Sequence, residues 1–252
     1  MHRFFLQKEC LYKKHIKIED TKILHQLLHV LRIKKNDQII CFFGDKKEYL
    51  TSIKEISKKQ CMLDIINIQQ KDIELKKPLI LYQALPKKKE VWEQIVKQAT
   101  EIGVSKIIPL MSSRTYAKYS PISLRTLNII KEATEQSGRT VLPIIEDNTN
   151  ITDLNLINLK NSLFLAGDSF DKKAENIFNF LLKQKKQYDF YGLFIGPEGG
   201  FSLDEIEFLK KQKVQIINLG KKILRMETAV TVSLGIVANY LNYVNYSMKF
   251  LK

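Results

Sequence analysis

The chain has 252 residues, 44% hydrophobic and 27% charged, a globular balance that excludes disordered, collagen-like and disulfide-scaffold classes and leaves room for one large or two smaller domains. Forty-one Lys and Arg face 27 Asp and Glu for a formal charge of +14, which points to a polyanionic partner such as nucleic acid, beside the plainer reading of lysine-driven solubility. Cys10, Cys41 and Cys61 are odd in number and lack metal or redox spacing, so reduced thiols and no metal centre are expected.

No apolar run approaches the roughly 20 residues of a membrane span, and Met1 to Lys8 lack the apolar core of a signal peptide. A cytoplasmic location without membrane attachment is the expectation. Residues 1–72 carry 15 basic and 9 acidic groups and the remainder 26 and 18, so neither half owns the charge. Only six basic residues are arginine, and their planar, fixed charge makes them the sharper pointers.

From residue 16 to about 73 the pattern is short and β-like. Residues 39–43, Gly44-Asp45 and residues 49–53 read as a hairpin, and residues 60–66 as a further strand, with a helix over 25–32 between. A small β-barrel with one helix follows from that pattern. After Lys76-Lys77-Pro78, apolar strands alternate with helices: strands at 79–84, 104–110, 162–166, 191–195 and 216–219, and helices at 90–102, 123–137, 203–212 and from about 228. That is the texture of a parallel α/β sheet, with the domain boundary near residues 70–77. Lys87-Lys88-Lys89 is read as a solvated loop.

Three segments carry chemistry. Residues 193–205 run from a buried strand through Gly196-Pro197-Glu198-Gly199-Gly200 into a helix, with Ser202 and Glu205 at capping-box spacing. The loop lies where parallel sheets bind ligands, yet matches neither a P-loop nor a dinucleotide fingerprint. Residues 216–229 repeat the plan, with Arg225 and Glu227 in an apolar setting where charge must be paired or used. The third segment, Ala133 to Arg139, is a helix end with a glycine stop.

In this order the segments resemble the SPOUT class of RNA methyltransferases, within it the family that methylates N3 of a uridine in 16S ribosomal RNA. The resemblance rests on Arg3-Phe4-Phe5, His29 to Arg32, Glu135 to Arg139, Ile195 to Gly200, Leu219-Gly220 and Ile223 to Ala229. It implies a PUA-like β-barrel for RNA binding over residues 1–72, then a SPOUT catalytic domain over 73–252 with a C-terminal trefoil knot, a rare exception to unthreaded connections. It also implies a homodimer and 16S ribosomal RNA within the small subunit as partner. A transfer-RNA methyltransferase of the same class and a non-catalytic RNA-binding module are the alternatives.

Carried onto this chain, the resemblance has S-adenosylmethionine held by Leu165 and Ala166, by Ile195, Gly196, Pro197, Glu198, Gly199 and Gly200, and by Leu219, Gly220, Ile223, Leu224, Arg225, Thr228 and Ala229. Met226 and Lys221-Lys222 depart from the family's usual residues without touching the Gly, Arg, Glu or Thr positions. Uracil N3 is a poor nucleophile until its imide proton leaves, so a base or an anion stabiliser is needed. Arg225 is the candidate stabiliser, assisted by Arg139 and Arg3, while Glu198 or Glu227 acts as base or holds the arginines. Arg3, Arg32, Arg114 and Arg139 are candidate RNA contacts. Phe4 and Tyr116 are aromatic candidates to stack on an unpaired base, core packing being the expectation for both.

Overall fold

A computed structural model of the protein describes residues 1–168, 171 and 173–247. The chain forms two compact units: residues 1–74 with 134–142, and residues 75–133 with 143 to the C-terminal end.

The first unit holds β1 (Arg3–Phe5), β2 (His15–Ile18), α1 (Thr21–His25), β3 (Gln38–Phe42), β4 (Lys47–Ile56) and β5 (Cys61–Gln70). They form one sheet in the order β1-β3-β4-β5-β2, antiparallel except for the β1–β3 pair. The hairpin expected at residues 39–53 is present, with Ile39 opposite Thr51 and Cys41 opposite Tyr49. Two register shifts along β4 and β5 bend the ribbon, as bulges do. It curls around a core drawn from every strand and α1: Phe4, Ile16, Ile18, Leu24, Ile39, Ile53 and Leu63 are all buried.

The helix expected at residues 25–32 starts earlier and ends earlier. Asp20 caps it, its Oδ1 accepting from the Lys22 and Ile23 N–H groups; the helix then widens into one π-turn over residues 26–30. Arg32 lies beyond it with φ of 53°.

The second unit is a parallel α/β sheet. Its elements are β6 (Leu79–Ala84), α2 (Lys89–Ile102), β7 (Lys106–Met111), α3 (Leu124–Ser137, whose last turn belongs to the first unit), β8 (Ile144–Ile145), β9 (Thr149–Asn150), β10 (Ser162–Gly167), β11 (Glu175–Asn176), α4 (Ile177–Leu182), β12 (Phe190–Ile195), α5 (Leu203–Lys211), β13 (Gln215–Asn218) and α6 (Met226–Ser247). The strand order is β11-β13-β10-β12-β6-β7-β8, with β9 also on β7, and every pairing is parallel. The central strands β6, β10 and β12 are buried along nearly their whole length, as expected of strands covered on both faces.

One face packs Tyr82, Phe164, Phe194 and Ile216 against Ile206 and Leu209 of α5. Tyr82 stacks on Phe194 with ring centroids 4.2 Å apart. A Cβ at Gly192 would stand 2.4 Å from the Phe164 ring, so only glycine lets the aromatics close over β12. On α2, Trp92, Ile95, Val96 and Ala99 are buried at the spacing of one helical stripe. The Trp92 indole N–H donates to Pro121 O at 2.9 Å. Among the described residues no helix is long and apolar enough to cross a membrane, and no group of three His, Cys, Asp or Glu is placed to hold a metal.

Candidate active site

The chain leaves β10 for β12 on one side and returns through α5 to β13 on the other. Such a reversal opens a crevice at the carboxyl ends of the strands, where parallel sheets take their ligands. Here the loops after β6, β7, β10, β12 and β13 enclose a cavity of about 910 Å³.

The turn after β12 is tight. Gly200 N–H donates to Pro197 O at 2.8 Å, and Gly200 has φ of +69°, a region glycine enters without Cβ strain. A Cβ on Gly196 would lie 3.0 Å from Phe201 N and 3.2 Å from the Gly200 carbonyl carbon. The turn feeds directly into α5. Ser202 Oγ accepts from Glu205 N–H, and Glu205 Oε2 accepts from Ser202 N–H at 2.7 Å, which is the capping box the sequence spacing predicts. The buried Glu205 also accepts from Ser113 N–H through Oε1, at 2.6 Å, tying the loop after β7 to the start of α5.

After β13, Asn218 Oδ1 accepts from Gly220 N–H at 3.1 Å, and Asn218 Nδ2 donates to Ala174 O. Leu219, Gly220 and Lys222 through Glu227 then line the cavity. Helix α6 begins at Met226, with Arg225 O accepting from Ala229 N–H at 2.8 Å.

Charge is concentrated in the cavity lining: five basic residues (Lys87, Lys88, Arg114, Lys222, Arg225) face three acidic ones (Asp168, Glu198, Glu227). Arg114 Nη1 donates to Gly199 O at 2.6 Å, and Glu198 Oε1 accepts from Lys87 N–H at 2.9 Å. The side chains of Arg225 and Glu227 make no hydrogen bond or ion pair among the described residues. Tyr119 donates through its hydroxyl to Pro86 O at 2.8 Å. Burial, helped by the Glu198 and Glu90 carboxylates, raises the Tyr119 phenol well above its ordinary value, so it stays protonated as a donor.

Residues 73–238 match the family model described as an RNA methyltransferase domain, and residues 18–66 the model of an RNA methyltransferase PUA domain. The ribosomal RNA small subunit methyltransferase E of Rickettsia conorii is 30% identical over 241 residues, 93% of either chain. The chain belongs to the ribosomal RNA small subunit methyltransferase E family. A second relative, from Borreliella burgdorferi, is 29% identical over 93% of this chain and 96% of its own. The fold is shared with the Neisseria gonorrhoeae member solved with S-adenosyl methionine, at TM-score 0.84, 23% identity and coverage of 95% and 97%. A Legionella pneumophila putative methyltransferase in complex with the same cofactor has TM-score 0.80 and 27% identity over 94% and 96%. The fold is therefore the SPOUT-type parallel sheet with a PUA-like domain before it.

Within this methyltransferase E chain, the cavity gathers Ile195 to Gly200, Leu219, Gly220, Ile223, Leu224, Arg225, Glu227 and Ala229, together with Arg114. Leu165 and Ala166 do not line it; they are buried inside β10, and Gly167 and Asp168 occupy the lining instead. Thr228 is an exposed residue of the first turn of α6 and also lies outside the lining.

Arg3, Arg32 and Arg139 belong to the first unit. Arg32 is exposed, as an RNA contact requires. Arg139 is only 4% exposed and clasps Glu74, its Nη2 2.5 Å from Oε2 and its Nε 3.1 Å from both oxygens. Arg3 donates from Nε to Glu135 O at 3.1 Å and from Nη2 to Gly138 O and Arg139 O at 3.1 and 2.8 Å; it pairs with Glu48 and lies over the Phe42 ring. Both arginines thus hold residues 135–139 within the first unit, with no donor directed to an external anion in these contacts. Phe4 is buried in the core, which removes it as a stacking surface. Tyr116 is the reverse, 69% exposed and in the cavity lining, against the expectation of core packing. Sequence reasoning missed Lys87 and Lys88 as lining residues; their run of three lysines has no feature that separates a cavity wall from a solvated loop.

Proposed function

We propose that the protein transfers the methyl group of S-adenosylmethionine to N3 of a uridine in 16S ribosomal RNA of the small subunit. The observation that carries this reading is the cavity itself: backbone-rich glycine turns from β10, β12 and β13 on one side, and in the same lining Arg225 and Glu227, whose side chains are unpaired among the described residues. A bare RNA-binding module has no use for such an enclosure.

The residues present suit the cofactor. Adenine needs apolar walls and main-chain donors and acceptors, and Ile195, Leu219 and Leu224 beside the turn at Gly196 to Gly200 supply them; the crowding around Gly196 leaves no room for a side chain there. When bound, S-adenosylmethionine supplies an electrophilic methyl group. Ile195, Gly196, Pro197, Gly199, Gly200, Leu219, Gly220, Ile223, Leu224 and Ala229 are the residues proposed to hold it.

The remaining work is charge management at the uracil imide. Arg225, whose side chain makes no hydrogen bond or ion pair among the described residues, is the proposed stabiliser of the N3 anion, since its guanidinium lies in the cavity lining with its donors available to the developing charge. Glu227 is the proposed base, because its carboxylate makes no hydrogen bond or ion pair among the described residues, whereas Glu198 is engaged by Lys87 N–H and serves to position the loop after β6. Positioning of an unpaired base beside the methyl donor supplies most of the remaining rate.

The proposal includes an RNA-docking role for residues 1–72, in which Arg32 contributes, a catalytic domain over 73–252 with a C-terminal trefoil knot, a cytoplasmic location and a homodimer. Exposed Phe178 and Leu182 on α4 and Val232 and Tyr243 on the adjacent α6 offer apolar surface for a second copy. Calorimetric titration with S-adenosylmethionine tests the cofactor assignment. Stoichiometric binding, lost in Gly196→Val, is the expected result, and absence of binding by the wild-type protein would overturn it.

A further inference from the structure

Resting on the methyltransferase reading above, we propose that Tyr116 is the platform on which the everted pyrimidine of the RNA substrate stacks. Tyr116 lies between β7 and α3, in a loop fastened on both sides of it. Before it, Ser113 N–H is held by Glu205 and Arg114 by Gly199 O; after it, the Tyr119 hydroxyl is held by Pro86 O and Pro121 O receives the Trp92 indole.

Between these anchors the Tyr116 ring is 69% exposed and lines the cavity, and it has no ring partner among the described residues. A large ring held out from the core on an anchored loop is pre-organised for a flat ligand, because little ordering entropy remains to be lost on binding.

Its place in the sheet says which ligand. The glycine turns proposed for the cofactor follow β10, β12 and β13, whereas the loop of Tyr116 follows β7, which β6 separates from β12, and it meets the β12 turn through Arg114. Among the lining loops this one carries none of the glycine turns proposed for the cofactor, which leaves its exposed ring for the substrate base. The N3 edge of a paired uridine is covered by its partner, so the reactive base must be unstacked and received by another surface, and single-stranded bases are commonly received by aromatic side chains. Arg114 ties this loop to the cofactor side of the cavity by donating to Gly199 O of the glycine turn.

The test compares wild type, Tyr116→Ala and Tyr116→Phe in methyl transfer to small ribosomal subunits from cells lacking the gene, with S-adenosylmethionine affinity measured in parallel. Tyr116→Ala is expected to raise KM for subunits by about tenfold or more, in line with the loss of one base–aromatic stack. Tyr116→Phe is expected to stay within about twofold of wild type, since the ring and not the hydroxyl does the stacking, and cofactor affinity should be unchanged in both. Alanine activity equal to wild type overturns the proposal. A parallel loss of cofactor affinity in Tyr116→Ala also overturns it, by making the ring part of the cofactor wall. A wild-type protein that neither binds S-adenosylmethionine nor methylates subunits overturns the underlying reading instead, which separates the two failures.

Discussion

Replacing Gly196 by alanine puts a methyl group where the turn has no space. The new Cβ would meet Phe201 N at 3.0 Å and the Gly200 carbonyl and Cα carbons at 3.2 and 3.3 Å. All three are backbone atoms, in a turn already closed by the Gly200-to-Pro197 hydrogen bond, so no side chain can rotate away and the turn itself must shift by a few tenths of an ångström. Overpacking of this kind costs about 1–3 kcal/mol. If that cost falls on the cofactor-competent turn, it corresponds to a rise of roughly 5- to 150-fold in the dissociation constant for S-adenosylmethionine.

Gly199→Ala provides the internal comparison. Its Cβ would meet only Arg114 Cδ, at 3.4 Å, on a flexible side chain, and affinity should change by less than about threefold. Calorimetry on the two variants, with thermal melting to confirm folding, reads the difference. Equal affinity for Gly196→Ala and wild type, or a larger loss in Gly199→Ala, would refute the crowding argument.

Arg225→Ala is expected to lower kcat by about 10²–10³-fold, the size of a lost transition-state donor, with cofactor affinity nearly retained; an equal loss of both would make Arg225 a scaffold residue. Arg139→Ala leaves the half-buried Glu74 carboxylate without its guanidinium and should destabilise the protein by about 1–3 kcal/mol in denaturant titration, whereas a change below about 0.5 kcal/mol would return Arg139 to the RNA-contact reading. Burial pushes the Cys41 and Cys61 thiols up to about 12, above the ordinary value near 9 that applies once the chain unfolds. Their contribution to stability is therefore intact below about pH 9 and lost as pH rises toward 12, because only the unfolded state ionises. Between pH 9 and 10 the Cys41 thiol alone should remove about 1 kcal/mol, with Cys61 acting in the same direction. A Cys41→Ala, Cys61→Ala variant should show a shallower alkaline loss; identical slopes would contradict the burial argument.

The elements readable from sequence are those set by local rules. The hairpin at residues 39–53, the parallel strands and the start of α5 at Ser202 follow from alternation, apolar runs and a capping box, and they recur in the structure within a few residues. The glycine turns after β12 and β13 were equally readable, because glycine marks backbone crowding directly.

What the sequence hid depends on distant pairing. Arg3-Phe4-Phe5 is too short to declare itself a strand and becomes one by pairing in parallel with β3. The return of residues 134–142 to the first unit has no compositional signature, and it removes Arg139 into an ion pair with Glu74. Leu165 and Ala166 sit one step too early: the strand buries them, and the lining begins at Gly167. Tyr116 reads as core material because aromatic residues usually are, and nothing local in its sequence marks the loop that leaves its ring exposed in the cavity lining.

The central claim is chemical and is tested most directly on the RNA. Small subunits from cells lacking the gene are incubated with the purified protein and S-adenosylmethionine, and the 16S ribosomal RNA is read by reverse transcription and nucleoside mass analysis. A methyl group on N3 blocks the pairing edge, so the expected result is one new, cofactor-dependent stop at a single uridine, together with stoichiometric 3-methyluridine. Methylation at another base atom, at many sites, or only on transfer RNA would contradict the account.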